Sequence, residues 1–308
     1  MRWEKLGVVW APDGSRPWAR SHATCPTPVR LDEARIRVFI QCRDDDGVGR
    51  VGYVDVSAED PLSVLGVSES PVLDIGRPGT FDDNGVLQTC VIEAPDGGLY
   101  MYYVGFELSR HIRYRLLTGL AVSTDGGNRF SRLRQTPILE RSDAELYFRG
   151  GPFVLHEGGR FRMWYAAGSG WIDLDGKPMP VYDLRYIESE NGIDWPAEGT
   201  VSLELQDPDE HGFGRPYVLH EEGRYKLFFS VRKRSLGRYR LAYAESADGL
   251  HWERMDSHLN LDVSPRGWDS DAVEYSAVVH AAGQTYLFYN GNDLGGTGFG
   301  VARLVERS

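Results

Sequence analysis

Acidic, histidine and arginine side chains recur in this chain at a similar distance from five apolar anchor residues. The anchors are Val29, Val91, Val154, Val218 and Val278, and most of the polar residues stand seven to nine positions before them. Crowded carboxyl groups raise one another's pKa, and a protonated acid beside an ionised carboxylate is the pair that cleaves a glycosidic bond. The spacing therefore indicates sugar chemistry if the fold brings the five positions together.

Four carboxyl groups are the predicted catalytic residues. Asp83 and Glu145 are the first choice for acid and base, whereas Asp269 and Glu274 would tune or bind. Each also has a structural interpretation, since Asp83 lies in the turn sequence Asp-Asp-Asn-Gly and Asp269 could cap its own loop. The set supports chemistry more strongly than any single member does.

Ten further residues are predicted to bind the substrate. Their basic members would hold hydroxyl groups, a carboxylate or a phosphate by charge-assisted hydrogen bonds, and an indole face can stack on a sugar ring. They are His22, Arg43, Asp82, Arg149, Trp171, Arg215, Arg232, Asp271, Asn290 and Asn292. We expect His22, Asp83, Glu145, Arg215 and Glu274 to converge at one mouth of a central channel.

The elements that would position these residues form a fivefold repeat. The anchor valines are separated by 62, 63, 64 and 60 residues, and a second set of anchors (Ile40, Tyr103, Tyr165, Phe229 and Tyr289) is separated by 63, 62, 64 and 60. A fixed period of this kind is the signature of a repeat architecture. Two independent sets of landmarks keep it through the whole chain.

Each repeat contains short runs of Tyr, Phe, Val and Leu bounded by Gly and Asp-Gly turns, which is typical of antiparallel strands joined by hairpins. Four strands in about sixty residues suit a propeller blade. We therefore predict an all-β, five-bladed β-propeller with four-stranded antiparallel blades, forming one domain over residues 1–308. The last repeat ends after its third strand, so residues 6–10 are predicted to close the ring as its missing fourth strand. The turns that begin with Ser at 123–130, 189–195 and 246–252 are predicted to be structural.

Charge and apolar patterning exclude several classes of protein. The net charge of −11 and the pI of about 5.2 argue against nucleic-acid binding, which requires a basic surface. No apolar run is long enough to cross a membrane, and the N-terminus lacks the apolar core of a secretory signal. We expect a cytoplasmic protein with no nucleic-acid or membrane partner. No cofactor and no metal ligands are predicted, although the central channel could hold a divalent cation.

Several segments resemble the five-bladed β-propeller superfamily of glycoside hydrolases, which includes families 32, 43, 62, 68 and 130. The resemblance is closest to uncharacterised family-32/43-like proteins carried with genes for sugar or surface-polysaccharide biosynthesis, and it covers essentially the whole chain. One departure concerns an acid that these hydrolases supply from the first blade, because residues 21–26 (Ser-His-Ala-Thr-Cys-Pro) contain none. The matching segments are 81–85, 101–103, 163–165, 267–270, 288–292 and 298–302, with the Ser-x-Asp-Gly turns.

Three functions follow as alternatives. The leading one is a glycoside hydrolase or a glycosyl-transferring relative that acts on a small or activated sugar, such as a nucleotide sugar, with paired carboxylates at the central channel. The second is a non-catalytic sugar-binding propeller, which is consistent with the absent acid of the first blade. The third is a sialidase-like hydrolase, because the turn that begins at Ser123 mimics the Asp-box of that family. Five repeats and no clear arginine triad count against the third.

Overall fold

The chain folds almost entirely into β-strands, which confirms the all-β prediction. The computed structural model describes residues 1–306, and of Ser169 only the backbone. Within that range the helical elements are a single 3-10 turn (Asp256–His258) and a four-residue turn, α1 (Asn292–Gly295). The strands are β1 (Arg2–Trp10), β2 (Ser21–Arg30), β3 (Arg35–Arg43), β4 (Gly49–Ser57), β5 (Val64–Val67), β6 (Val86–Glu93), β7 (Leu99–Leu108), β8 (Tyr114–Ser123), β9 (Ser131–Arg132), β10 (Phe148–Glu157), β11 (Arg160–Leu174), β12 (Lys177–Ser189), β13 (Thr200–Leu203), β14 (Glu210–Glu221), β15 (Arg224–Lys233), β16 (Arg238–Ser246), β17 (Glu253–Arg254), β18 (Glu274–Ala281), β19 (Gln284–Asn290) and β20 (Phe299–Glu306).

Antiparallel pairing joins the strands in consecutive groups of four. Strands β2 to β5 pair in chain order, and the same holds for β6 to β9, β10 to β13 and β14 to β17. Strands β18, β19 and β20 form the last group. The first strands of the groups neighbour one another in the order β2, β6, β10, β14 and β18, and β18 in turn contacts β2. These five inner strands therefore surround one axis.

The N-terminal strand completes the last group. Strand β1 pairs antiparallel with β20, and Trp3 stands opposite Leu304 and Val8 opposite Gly300. The prediction that residues 6–10 provide the missing fourth strand is confirmed, and the strand begins earlier than predicted, at Arg2. This pairing covers an edge of β20 that would otherwise be open.

Tight turns and buried aromatic residues explain why the sequence adopts these groups. Three inner hairpins turn through two residues that both have positive φ, at 158–159, 222–223 and 282–283, the conformation of a type I′ turn. The second set of anchors lies at the centre of the second strands, and all five side chains are fully buried. The hydrophobic repeat of the sequence therefore identifies the side chains that are buried in the second strand of each group.

The three repeated turns that begin with Ser form hydrogen bonds with their own backbone, as their predicted structural role requires. Ser123 Oγ accepts a hydrogen bond from the Gly127 amide at 2.9 Å and donates one to Asp125 Oδ1 at 2.7 Å. Asp248 accepts from the amides of Leu250 and His251, and these bonds hold the pKa of its carboxyl well below the usual range. The turns follow the third strands, at the end away from the cavity described below.

Candidate functional site

A cavity of about 180 Å³ lies on the axis between the five inner strands. All of these strands contribute to its lining, at Cys25, Thr89, Gly151, Arg215 and Tyr275. It lies toward the beginnings of the inner strands, which is the end at which the sequence predicts a site. A cavity at the centre of a fold with polar groups directed into it is a common form of small-molecule site, although this one is smaller than the roughly 300–1,000 Å³ that is typical of such sites.

The five lining residues of the inner strands, which form a ring around the axis, lie at β-bulges. The pairing of each inner strand with the next strand is interrupted around them, and Cys25, Arg215 and Tyr275 have φ values of 59°, 50° and 54°. Non-glycine residues rarely adopt positive φ, and such strain concentrates at functional sites. The bulges turn five consecutive pieces of backbone toward the axis.

Tyrosines and arginines dominate the polar lining. Tyr114, Tyr182 and Tyr239 stand near the beginnings of three third strands, and Tyr182 and Tyr239 share a hydrogen bond between their hydroxyl groups. Burial raises the pKa of Tyr182 well above its usual value, so the phenol is protonated. Arg232 packs over the Tyr239 ring at 5.2 Å, and its guanidinium makes no hydrogen bond or ion pair with the described residues.

Glu274 is the carboxyl group next to this lining. It is 2% exposed and precedes Tyr275 at the bulge of β18. Its Oε2 accepts a hydrogen bond from Asn290 Nδ2 at 3.2 Å. Burial raises its pKa to about 8, although the charge of Arg232 and a hydrogen bond from the Tyr239 backbone oppose the shift. At neutral pH this carboxyl group therefore holds a proton that it can donate.

His22 and Arg43 stand together at the rim of the cavity. Arg43 Nη1 lies 3.1 Å from His22 Nε2, and the Asp293 carboxylate is 4.0 Å from the same nitrogen. Burial lowers the pKa of His22, and Arg43 lowers it further. The imidazole is consequently neutral near pH 7 and accepts the hydrogen bond from Arg43. Arg43 lines the cavity as the sequence predicts, with His22 behind it.

Arg215 lines the cavity but is occupied by the backbone. Its Nη1 donates to the carbonyls of Tyr275 and Ser276, and its Nη2 donates to the Pro26 carbonyl and to Thr27 Oγ1. The guanidinium therefore connects three inner strands, β14, β18 and β2. Its main role is to hold the ring together, with only one face left toward a ligand.

None of the four predicted catalytic carboxyl groups lines the cavity, although Glu274 directly precedes the lining residue Tyr275. Asp83 caps its own turn, where Oδ2 accepts from the Gly79 amide at 2.7 Å and Oδ1 accepts from the Asn84 side chain. Glu145 is fully buried and accepts hydrogen bonds from Arg149 at 2.6 Å and Tyr165 at 2.7 Å. Neither Asp83 nor Glu145 lines the axial cavity, and local hydrogen bonds occupy both carboxylates.

Asp269 follows the same pattern as Glu145. Its Oδ2 accepts from Lys5 Nζ at 2.6 Å and from the Tyr289 hydroxyl at 3.0 Å. Asp82, predicted to bind substrate, accepts from Arg132 at 2.6 Å and from Tyr103 at 2.9 Å. In each case a buried acid is bound by a cation and a tyrosine.

The other predicted binding residues divide into two sets. Asn290 joins the cavity wall to Glu274, since its Oδ1 also accepts from the Cys25 amide at 2.9 Å, and Trp171 packs edge-on against Tyr114 of the lining. Arg149 instead forms a buried ion pair with Glu145. Asp271, in the loop before β18, is bound to Asn292 of α1, whose Oδ1 accepts from the Asp271 amide at 2.7 Å.

Two features of the cavity were absent from the predicted site, and both leave a trace in the sequence. The lining tyrosines recur as Tyr114, Tyr182 and Tyr239 near the beginning of successive third strands. Three of the bulges carry a proline directly after the bulged residue, at Pro26, Pro152 and Pro216. Proline inside a strand is confined to edges and bulges because it has no amide hydrogen.

Among residues 1–306, no group of three His, Cys, Asp or Glu side chains is arranged to hold a metal ion. No helix in the same range is long and apolar enough to span a membrane.

Sequence comparison provides the family. No protein-family model matches the chain. The uncharacterised protein Rv1502 of Mycobacterium tuberculosis is 33% identical over 304 residues, which is 99% of both chains. The chain belongs to the Rv1502 family. Because the match is end to end, the Rv1502 family as a whole is expected to share the groups of strands described above.

Solved structures show which fold the Rv1502 family has. A glycoside hydrolase superposes with a TM-score of 0.73 at 18% identity, covering 99% of this chain and 92% of the other. A structure from work on β-1,2-mannosidic linkages in Candida mannan and on the mannoside phosphorylase family GH130 has a TM-score of 0.72 at 14% identity, covering 98% and 93%. The Rv1502 family therefore has the propeller fold of glycoside hydrolases of the family 43 and 130 type.

Proposed function

We propose that the protein is a carbohydrate-active enzyme formed by a single five-bladed β-propeller, and that it acts on a small sugar held in the axial cavity. Glu274 is the general acid in this proposal. The supporting observation is that its protonated carboxyl group lies directly behind a lining of tyrosines and arginines. A general acid is most effective when its pKa is near the working pH, and that of Glu274 is raised to about 8.

The surroundings of Glu274 suit proton donation to a leaving oxygen. The Asn290 amide donates to one carboxyl oxygen and fixes the orientation of the group. Arg232 is close enough to oppose the shift of the Glu274 pKa, and its charge would stabilise the carboxylate that remains after the proton has left. The phenol groups of Tyr239 and Tyr275 line the cavity, where they would face the sugar hydroxyls.

A hydrolase with two carboxylates is less well supported than a reaction with one acid. Hydrolysis by paired carboxylates requires two such groups about 5–9.5 Å apart, and no Asp or Glu of the described residues lines the cavity. An activated sugar, such as a glycosyl phosphate or a nucleotide sugar, has a leaving group that departs readily. The demand for a carboxylate nucleophile is then smaller, so we propose an activated sugar as the substrate.

The same observation favours a second candidate function, a non-catalytic sugar-binding propeller. A binding protein needs the aromatic and basic lining but no acid–base pair. Glu274 would then be a neutral hydrogen-bond donor to a sugar oxygen.

The experiment that separates the two functions is a screen of the wild-type protein against aryl glycosides and nucleotide sugars, with calorimetry on the same compounds. The enzyme proposal predicts turnover of at least one compound, and a loss of about 10²–10⁴-fold in Glu274→Gln. The matched control is Glu140→Gln, whose exposed side chain is ion-paired only with Arg141. Binding without product across the whole panel would contradict the enzyme proposal and support the binding protein.

A further inference from the structure

A second, open depression adjoins the axial cavity. Its volume is about 570 Å³, within the roughly 300–1,000 Å³ of small-molecule sites. Arg232 lines both spaces. Pro178 and Met179 line the depression, and the next residue, Pro180, lines the cavity. A ligand in the cavity could therefore extend directly into this depression.

Two hairpins form the walls of the depression. Strands β11 and β12 are 15 and 13 residues long, against ten for β7 and β8, and their hairpin extends beyond the cavity mouth with Lys177 near its tip. The β15–β16 connection supplies Arg234 on the other side. The additional length of β11 and β12 has no counterpart in the other groups of strands.

The depression is strongly basic in an otherwise acidic protein. Four permanently charged side chains line it, Arg113, Lys177, Arg232 and Arg234, against one carboxylate, Asp175. The net charge of the chain is −11. No ion pair joins any of these four cations to a carboxylate among the described residues. Cations grouped in a concave surface without partners attract an anionic ligand.

His211 provides a second, independent observation. Its side chain is fully buried at the edge of the depression. The Nδ1 atom donates to the Pro180 carbonyl at 3.0 Å, whereas Nε2 has no hydrogen-bond partner. A buried polar atom without a partner is rare in native proteins and calls for a ligand or a water. An anion oxygen beside Nε2 would satisfy it once the imidazole is protonated.

We propose that this depression binds the phosphate or diphosphate group of an activated sugar, with the sugar itself in the axial cavity. Arg113, Lys177, Arg234 and His211 hold the anionic group, and Arg232 stands at the boundary between the two spaces. This assignment rests on the proposed function for the sugar and adds the chemical class of the remainder of the substrate. It explains why Arg232 has no carboxylate partner.

The subsite is tested by calorimetry on the full chain with uridine diphosphate, inorganic pyrophosphate and glucose 1-phosphate. We expect saturable binding at one site, with affinity that falls as salt rises. Lys177→Gln and Arg234→Gln should each weaken binding about tenfold or more, because each removes a charge-assisted hydrogen bond. Both side chains are exposed, so the variants should fold. Arg129→Gln, at an exposed arginine in the turn after β8, should leave the affinity unchanged.

Proton uptake tests the role of His211. Burial lowers its pKa, Arg232 and Arg234 lower it further, and Asp209 and the Pro180 carbonyl raise it. An anion at Nε2 favours the imidazolium, so the binding heat at about pH 7 should depend on the ionisation enthalpy of the buffer and show proton uptake. His211→Gln should abolish this dependence. If His211→Gln does not fold, the salt dependence and the Lys177 and Arg234 variants still decide the proposal.

The outcomes separate this inference from the proposed function. Equal binding of all three probes in wild type, Lys177→Gln and Arg234→Gln would overturn the subsite, as would no binding of any probe at millimolar concentration. Turnover of neutral aryl glycosides in the absence of anion binding would refute the subsite and leave the enzyme proposal standing. Anion binding that depends on Lys177 and Arg234 without turnover of any compound would establish the subsite and refute the enzyme. Tighter binding of uridine diphosphate than of pyrophosphate would identify a nucleotide as the source of the phosphate groups.

Discussion

Two classes of buried carboxyl group occur in this protein, and they differ in their partners. Asp82, Glu145 and Asp269 stand before inner strands, and Glu210 is the first residue of β14. Each of the four is bound by Arg or Lys. Glu274 is equally buried but has the Asn290 amide as its side-chain partner and no ion pair. The first class fastens the groups of strands, and the second is available for proton chemistry. Burial does not separate the two classes, whereas the partner does. Their spacing differs as well, because the ion-paired acids stand eight or nine positions before an anchor valine and Glu274 stands four positions before Val278.

The ion-paired carboxylates form a recurring clamp. Arg132, Arg254 and Lys5 lie on the outermost strands β9, β17 and β1. Each pair therefore joins the outer edge of a group to the beginning of its inner strand or to the loop before it. In the first group, Trp18 lies in this loop instead, buried against Gly52 with its indole N–H donated to the Glu69 carbonyl. A hydrophobic clamp there replaces the ionic one.

The largest effect on stability is expected from breaking the most deeply buried clamp. Glu145→Gln leaves Arg149 and Arg185 without their shared carboxylate, and removal of one partner of a buried ion pair costs about 3–5 kcal/mol. Urea unfolding measures this loss. Glu140→Gln, at an exposed pair, should change the free energy of unfolding by less than about 1 kcal/mol. If the two variants were equally stable, the buried ion pair would contribute no more to stability than the exposed one does.

Glu274→Gln should act in the opposite direction, and only at higher pH. The pKa of Glu274 is about 8 in the folded protein against a usual value of 4.5, so the folded state binds more protons than the unfolded chain between those values. The free energy of unfolding therefore falls as pH rises through this window. Glutamine has no such proton, so the variant should be more stable than wild type at about pH 8, by a few kcal/mol at most. Parallel Tm-against-pH curves for the two proteins would show that Glu274 titrates normally.

A smaller effect is expected at the clamp of the closing strand. Lys5 is partly exposed, and its removal leaves Asp269 with the Tyr289 hydroxyl, so Lys5→Gln should cost about 1–3 kcal/mol. Arg2→Gln on the same strand breaks an exposed pair with Glu306 and should cost about 0–1 kcal/mol. Thermal unfolding of both variants makes the comparison. A larger loss of stability in Arg2→Gln would mean that the exposed ion pair with Glu306 stabilises β1 more than the pair between Lys5 and Asp269 does.

The sequence predicts the strands well because hydrophobic period and turn chemistry are local. The buried anchors and the hairpin glycines follow from such patterns, and the pairing of β1 with β20 follows from the missing fourth strand of the last repeat. The partner of a carboxylate does not, because Lys5 and Asp269 are 264 residues apart. The recurring acids were thus visible as a set, while their neutralising cations were not. Glu274 was among the predicted catalytic residues although it stands four positions before its anchor valine, whereas Glu145 stands nine before its own. The prediction gave this difference no weight.

The cavity itself was only partly predictable. Arg43 and Arg232 were among the predicted substrate-binding residues, and both line it. The ring of bulges depends on backbone geometry at single residues such as Cys25 and Tyr275, for which side-chain type gives little indication. The proline that follows three of the bulges is the usable signal for this ring.

The measurement that tests the central claim most directly is the turnover number of wild type, Glu274→Gln and Glu145→Gln on one substrate identified by the screen. Each rate is corrected for the folded fraction. We predict that Glu274→Gln loses about 10²–10⁴-fold, that Glu145→Gln stays within about tenfold of wild type, and that the wild-type rate declines above about pH 8 as Glu274 loses its proton. Full activity of Glu274→Gln, or a loss confined to Glu145→Gln, would contradict the account.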